Sequence, residues 1–226
     1  MPVDTIRRIS ACLLLTLATG ATRAADARDP AGAPAPSPEE IAQVVSIWNL
    51  ELKGDREGEL RLARELAGGP GRDPMVNWAR GAVHRLTSEG KQLEMAFVST
   101  DGRKIDLKAM RGHVVMIDFW ATWCAPCMEA LPGLGDTYSR HHAQGLEVIG
   151  VSWDGDRAKL DGLVAEGKVV WPQYFEGTKP GKWGEAFGIG GVPYTLLVDK
   201  QGRLRFSSAF PDPATLEEHI ARLLAE

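Results

Sequence analysis

The stretch from Val114 to Trp120 constrains this chain most, because six of its seven residues are apolar and only Asp118 breaks the run. A strand that is apolar on both faces must be covered on both faces. That is the condition of a central strand in an α/β sheet, and not of a sheet with one wet side. A second buried strand is predicted at Leu146 to Trp153. Cys127 to His142 between them reads as a helix, and Arg157 to Glu166 as another. Val169 to Phe175 is short and mixed. Tyr194 to Asp199 and Arg203 to Ser208 are strands joined through Lys200-Gln201-Gly202. Asp212-Pro213 then opens a closing helix with Leu216, Ile220, Leu223 and Leu224 inward. Ahead of the first buried strand, Leu93 to Val98 and Lys104 to Leu107 flank Asp101-Gly102 and predict a hairpin. Together these elements predict an α/β domain over residues 91–226, built on a mixed sheet flanked by helices.

The chain before residue 91 has a different character. Arg7 and Arg8, the apolar run from Ile9 to Ala18 and the small residues around Ala24 form a secretory signal over residues 1–24. The run is short for a membrane span. Cleavage after Ala24 is expected, with an uncleaved anchor as the alternative. Residues 25–38 hold Pro30, Pro34, Pro36 and Pro38 and read as a linker. From 39 to 90 three helical stretches follow. The first carries Ile41, Val44, Val45, Trp48 and Leu52 on one face. Gly68-Gly69-Pro70-Gly71 stops the second, and the third carries Met75, Trp78, Ala82 and Leu86. This small helical module has no catalytic signature. It is either a partner-binding or dimerising unit, or an extension packed on the main domain.

The formal net charge of the 226 residues is -4, which argues against nucleic acid, since a phosphate-binding domain needs a basic face. Of three cysteines, Cys12 falls in the signal, leaving Cys124 and Cys127 in an exported domain. Two cysteines three apart close too small a loop to act as a structural staple, so they call for a chemical explanation. They follow the buried strand and open a helix, where unpaired N–H groups and the helix dipole favour thiolate over thiol. Cys124 is the expected nucleophile, and Cys127 lies one turn later on the same side. A metal role fits poorly, since a structural zinc takes four ligands. His141-His142 has no further ligand at suitable spacing. Asp154-Gly155-Asp156 reads as a loop and helix cap. Trp153, Trp171 and Trp183 read as core or pocket wall. Asp118 is a carboxylate in an apolar strand, costly to bury and so expected to have a function.

The run Asp118-Phe119-Trp120-Ala121-Thr122-Trp123-Cys124-Ala125-Pro126-Cys127, with Pro132 after it, resembles the active-site segment of thioredoxins. Gly191-Val192-Pro193-Tyr194-Thr195 resembles the loop that in this family holds a cis proline. Met110-Arg111-Gly112 and Leu197 to Arg203 are similar to the exported TlpA/ResA/DsbE branch. The resemblance implies a thioredoxin fold with an N-terminal β-hairpin, preceded here by the helical module. It also implies a periplasmic thiol–disulfide oxidoreductase with no cofactor beyond its own disulfide and no metal. Carried over by residue, Cys124 forms a mixed disulfide with substrate, Cys127 resolves it, and Asp118 assists proton transfer at the resolving thiol. Pro193 is expected to be cis and to leave room for substrate, whose backbone pairs with Val192. Trp123 and Pro126 belong to the docking surface. The implied partners are disulfide-bearing exported proteins; an oxidising compartment, which would otherwise keep the pair as a disulfide, calls in addition for a membrane electron donor. One departure stands out: relatives carry glutamate two positions before the helix proline, and here that position is Ala130, with Glu129 displaced by about 100° around the helix. Proline before the second cysteine resembles reducing members of the fold. Oxidase, isomerase and copper-delivery readings use the same two thiols.

Overall fold

A computed structural model of the chain describes residues 38–69, 74–178 and 181–226. The signal at 1–24 and all but the last residue of the linker at 25–38 lie outside the described residues.

The helical module is three helices, α1 (Pro38–Leu52), α2 (Arg56–Ala67) and α3 (Pro74–Thr87). Asp55 caps α2 by accepting from the Gly58 amide at 2.9 Å, a contact of the kind that contributes about 1 kcal/mol. Val44, Ile47, Ala63, Leu66, Trp78, Ala79 and Ala82 form an apolar core of the module's own. The face of α1 turns slightly from the expected one. Ile47 is fully buried, whereas Leu52 at the helix end is 40% exposed.

The rest of the chain is built on a five-stranded sheet. Its strands are β3 (Val114–Trp120), β4 (Leu146–Ser152), β5 (Gln173–Phe175), β6 (Tyr194–Val198) and β7 (Leu204–Ala209), in the order β5-β4-β3-β6-β7. β3 runs parallel to β4 and antiparallel to β6, so the sheet is mixed as expected. A separate hairpin of β1 (Ala96–Val98) and β2 (Lys104–Asp106) precedes it. Helices α4 (Ala125–His141), α5 (Arg157–Ala165), α6 (Lys182–Phe187) and α7 (Pro213–Ala225) complete the unit. β3 and β4 are buried nearly throughout and lie in one continuous core with Leu131, Leu160, Ile220 and Leu223 from the helices. Each such side chain contributes roughly 1.5–3 kcal/mol on burial.

Strand β1 starts at Ala96, three residues later than the sequence predicts, and two helices also differ. Helix α4 begins at Ala125 instead of Cys127, because Cys124 itself is the cap: its Sγ accepts from the Cys127 amide at 3.2 Å. Helix α6 is not legible among Gly177, Gly181 and Gly184. It forms because the carboxylate of Glu176, several residues upstream, accepts from the Trp183 amide at 2.5 Å and the Gly184 amide at 3.2 Å.

Module and sheet meet through backbone. A Cβ placed on Gly81 of α3 would stand 2.0 Å from the Glu185 carbonyl oxygen. One on Gly188, at the end of α6, would stand 2.0 Å from the Ala82 amide. Gly188 also takes a left-handed conformation with φ of 61°, which glycine adopts without steric cost. No helix among the described residues is long and apolar enough to cross a membrane.

Candidate active site

β3 leads into a short loop, Ala121 to Trp123, after which Cys124 caps α4. That loop is held from β4. The Asp154 carboxylate, fully buried, accepts from the Thr122 amide at 2.9 Å and the Thr122 hydroxyl at 2.5 Å, while Ser152 donates to its other oxygen at 2.8 Å. Trp153 donates its amide to the Trp120 carbonyl at 2.8 Å. The Cys124 amide bonds back to the Ala121 carbonyl at 3.2 Å. Cys124 therefore sits at a fixed place at the end of the sheet.

Cys124 and Cys127 are joined in a disulfide across a Cα separation of 5.2 Å. Both are nearly buried, at 4% and 5% exposure. Beside them Trp123 is 60% exposed, its ring held at one edge by the Nε1–H bond to the Trp153 carbonyl at 3.1 Å. Pro126 is exposed on the first turn of α4. The site is thus a recessed disulfide next to an exposed apolar ring.

The bond between Val192 and Pro193 is cis. The β3–β6 register pairs Phe119 with Tyr194, so one further step brings Pro193 level with Trp120, at the end of the sheet from which the Cys124 loop departs. Val192 is partly buried against the main core, and the Pro193 carbonyl accepts from the Phe210 amide at 3.2 Å.

Asp118 lies in the same strand, two residues before its end. It keeps a sliver of surface in an otherwise buried strand, but the protein mass around it dominates. Burial pushes its carboxyl up to about 7, and a hydrogen bond from the Thr195 side chain offsets part of that rise. A group near neutrality in this position can hold or release a proton at working pH.

Several contributors were not visible in the sequence. Asp154 reads as a loop residue but anchors the cysteine loop, whereas its neighbour Asp156 is the expected cap, accepting from the Ala158 amide at 2.9 Å. Glu176 both caps α6 and accepts from Trp153 Nε1 at 2.8 Å. Its only local signal is an acid a few residues ahead of a helix start. Of the two neighbouring histidines, His141 ends α4, and its Nε2 lies 2.6 Å from Glu217 of α7.

Comparison with known proteins agrees with this geometry. The chain belongs to the AhpC/TSA family, whose model matches residues 89–207. The thiol-disulfide oxidoreductase ResA of Bacillus anthracis is 32% identical over 110 residues, covering 48% of this chain and 62% of that protein. ResA of Bacillus subtilis is 25% identical over 105 residues, covering 46% and 58%. The chain thus spans less than two thirds of the length of these curated relatives. Among solved structures, a protein assigned as the thiol:disulfide interchange protein DsbE of Chlorobium tepidum superposes with a TM-score of 0.54 at 26% identity, covering 61% of this chain and 97% of that one. The thioredoxin domain of a thiol-disulfide oxidoreductase from Bacteroides vulgatus gives 0.50 at 26% identity, covering 58% and 97%. The fold is thioredoxin-like.

Proposed function

We propose that the protein is a thiol–disulfide oxidoreductase that reduces disulfides of exported proteins, with residues 91–226 as the redox unit and its own dithiol as sole redox group. The observation that carries this reading is the Cys124–Cys127 disulfide at the start of α4, with the Cys127 amide aimed at Cys124 Sγ. In the reduced form that amide and the helix end favour the Cys124 thiolate.

Cys124 thiolate attacks one sulfur of a substrate disulfide, a mixed disulfide forms, and the other substrate sulfur leaves as a thiolate. Cys127, having passed its proton to Asp118, attacks Cys124 Sγ. The second substrate thiol departs, and two electrons have moved from the protein to the substrate. The Cys124–Cys127 disulfide is then reduced again by a dithiol donor, for which a membrane protein is the partner. Trp123 and Pro126 present the docking surface. Pro193, which has no N–H, leaves space for an extended polypeptide that pairs with the Val192 backbone. The signal read in the sequence of residues 1–24 supports a periplasmic location, and an oxidising compartment calls for such a donor.

The test is the equilibrium reduction potential of the Cys124–Cys127 pair. A value near about -270 mV supports a reductase, and one near about -120 mV overturns the direction in favour of an oxidase.

A further inference from the structure

The helical module grips one particular stretch of the redox unit, residues 186–194, which runs into and out of the Val192–Pro193 bond. His84 Nδ1 lies 3.1 Å from the Ala186 carbonyl oxygen, and Arg85 Nε donates to the Phe187 carbonyl at 3.1 Å. Gly188 meets the backbone of α3. A Cβ on Gly190 would come within 2.7 Å of the Trp48 ring and 2.8 Å of the Trp78 ring. Directly after the proline, the Tyr194 hydroxyl donates to Glu51 of α1, and the Tyr194 ring lies beneath Arg85 with the guanidinium carbon 5.1 Å from its centre.

This grip is made of buried charge. Arg85 is 1% exposed and pairs with the fully buried Glu59 at 2.9 Å and with Glu51 at 3.7 Å. α1 contributes Glu51, α3 contributes Arg85, and α2 contributes both Glu59 and Arg56, which lie 3.1 Å apart. Apolar side chains of similar size would hold two surfaces together as well or better. What they lack is direction: a carboxylate fixes one hydroxyl at one place, and packed methyl groups do not.

We propose that Glu51 and Arg85 are positioning residues, which set the Val192–Pro193 edge through Tyr194 and so govern affinity for a disulfide-bearing polypeptide. The proposal rests on the oxidoreductase reading and adds to it a role for residues 38–87 in substrate binding. The thiols themselves are untouched. A small dithiol needs no backbone pairing and does not sense the device, whereas an extended peptide does.

The experiment uses the full chain with Tyr194→Phe and Glu51→Gln. Phenylalanine keeps the ring under Arg85 and loses only the hydroxyl, and glutamine keeps a carbonyl oxygen to accept from Tyr194. The readouts are KM and kcat for reduction of a peptide disulfide with dithiothreitol as electron source, the rate at which dithiothreitol reduces Cys124–Cys127, and hydrogen exchange of the Phe210 amide. Tyr194→Phe should raise KM roughly 3- to 10-fold, with kcat and the dithiothreitol rate nearly unchanged and faster Phe210 exchange. A third variant, Glu51→Leu, removes the acceptor and should raise KM as Tyr194→Phe does, whereas Glu51→Gln should restore most of that loss; an unchanged KM in Glu51→Leu overturns the inference. Unchanged KM and Phe210 exchange in Tyr194→Phe overturn the inference. So does an equal loss with peptide and dithiothreitol, which marks a general structural effect. If the unaltered protein does not reduce the peptide, or Cys124→Ser still does, the oxidoreductase reading itself fails and the inference falls with it.

Discussion

Asp118 stands directly opposite Thr195 in the ladder between β3 and β6, and the threonine side chain hydrogen-bonds its carboxyl. The bond eases a burial that raises the carboxyl to about 7, against about 3.9 in an unfolded chain. Between these two values the folded protein keeps a proton that the unfolded chain has released. Stability therefore falls as pH rises from about 4 to about 7, by at most about 4 kcal/mol from this group. Asp118→Asn removes the effect. Urea midpoints should show the variant more stable than the unaltered protein at pH 8 and nearly equal to it at pH 4. Parallel pH profiles for the two proteins would contradict this. The same substitution should slow resolution of the mixed disulfide at least about tenfold, because a positioned proton carrier is lost.

The order of the two cysteines gives a sharper outcome. Cys127→Ser leaves the attacking thiol and removes the resolving one, so it should accumulate a mixed disulfide with a peptide substrate. Cys124→Ser should accumulate none. Intact mass under non-reducing conditions reads the difference, and equal trapping by both variants would refute the assignment of roles.

Asp154 offers a structural counterpart. Its carboxylate takes the Thr122 amide, the Thr122 hydroxyl and the Ser152 hydroxyl, all without solvent access to the acid. Asp154→Ala leaves those donors unpaired and should cost about 2–4 kcal/mol in a denaturant titration. Asp154→Asn, which keeps one acceptor oxygen, should lose clearly less.

Arg85→Met should destabilise by about 3–5 kcal/mol, since Glu51 then loses its paired cation in a buried place and Glu59 keeps only Arg56, at 3.1 Å. Adding Glu59→Gln should restore part of that loss, giving a coupling of at least about 1 kcal/mol in a double-mutant cycle. Additive effects would mean that the pair does not act as a unit.

These sites differ in how far the sequence revealed them. β3 and β4 are legible to within a residue because a strand buried on both faces writes a mostly apolar run, broken only by Asp118 in β3 and by Glu147, Gly150 and Ser152 in β4. Cys124, Cys127 and Asp118 are legible because their context is local, a strand followed by a helix, whereas Val192 and Pro193 stand out only through the resemblance to thioredoxins. Glu51, Glu59 and Arg85 look like the wet side of helices. Their burial depends on partners as far as 143 residues away, as in the Glu51–Tyr194 bond, and no periodicity within one helix records that. Helix α6 was missed for the same reason on a smaller scale, since its cap comes from outside the window in which a helix start is sought. The periodicity of α1 points Leu52 inward, but the chain turns out of α1 there and leaves it exposed.

The contact between Gly81 and Gly188 bears on how such a chain can be rearranged. Neither glycine tolerates a β-carbon while the other's backbone stays in place. A graft of this module onto another thioredoxin unit, or a swap of the unit beneath it, should fail unless both glycines travel together. For recombination, the two halves form one inherited piece despite their separate cores.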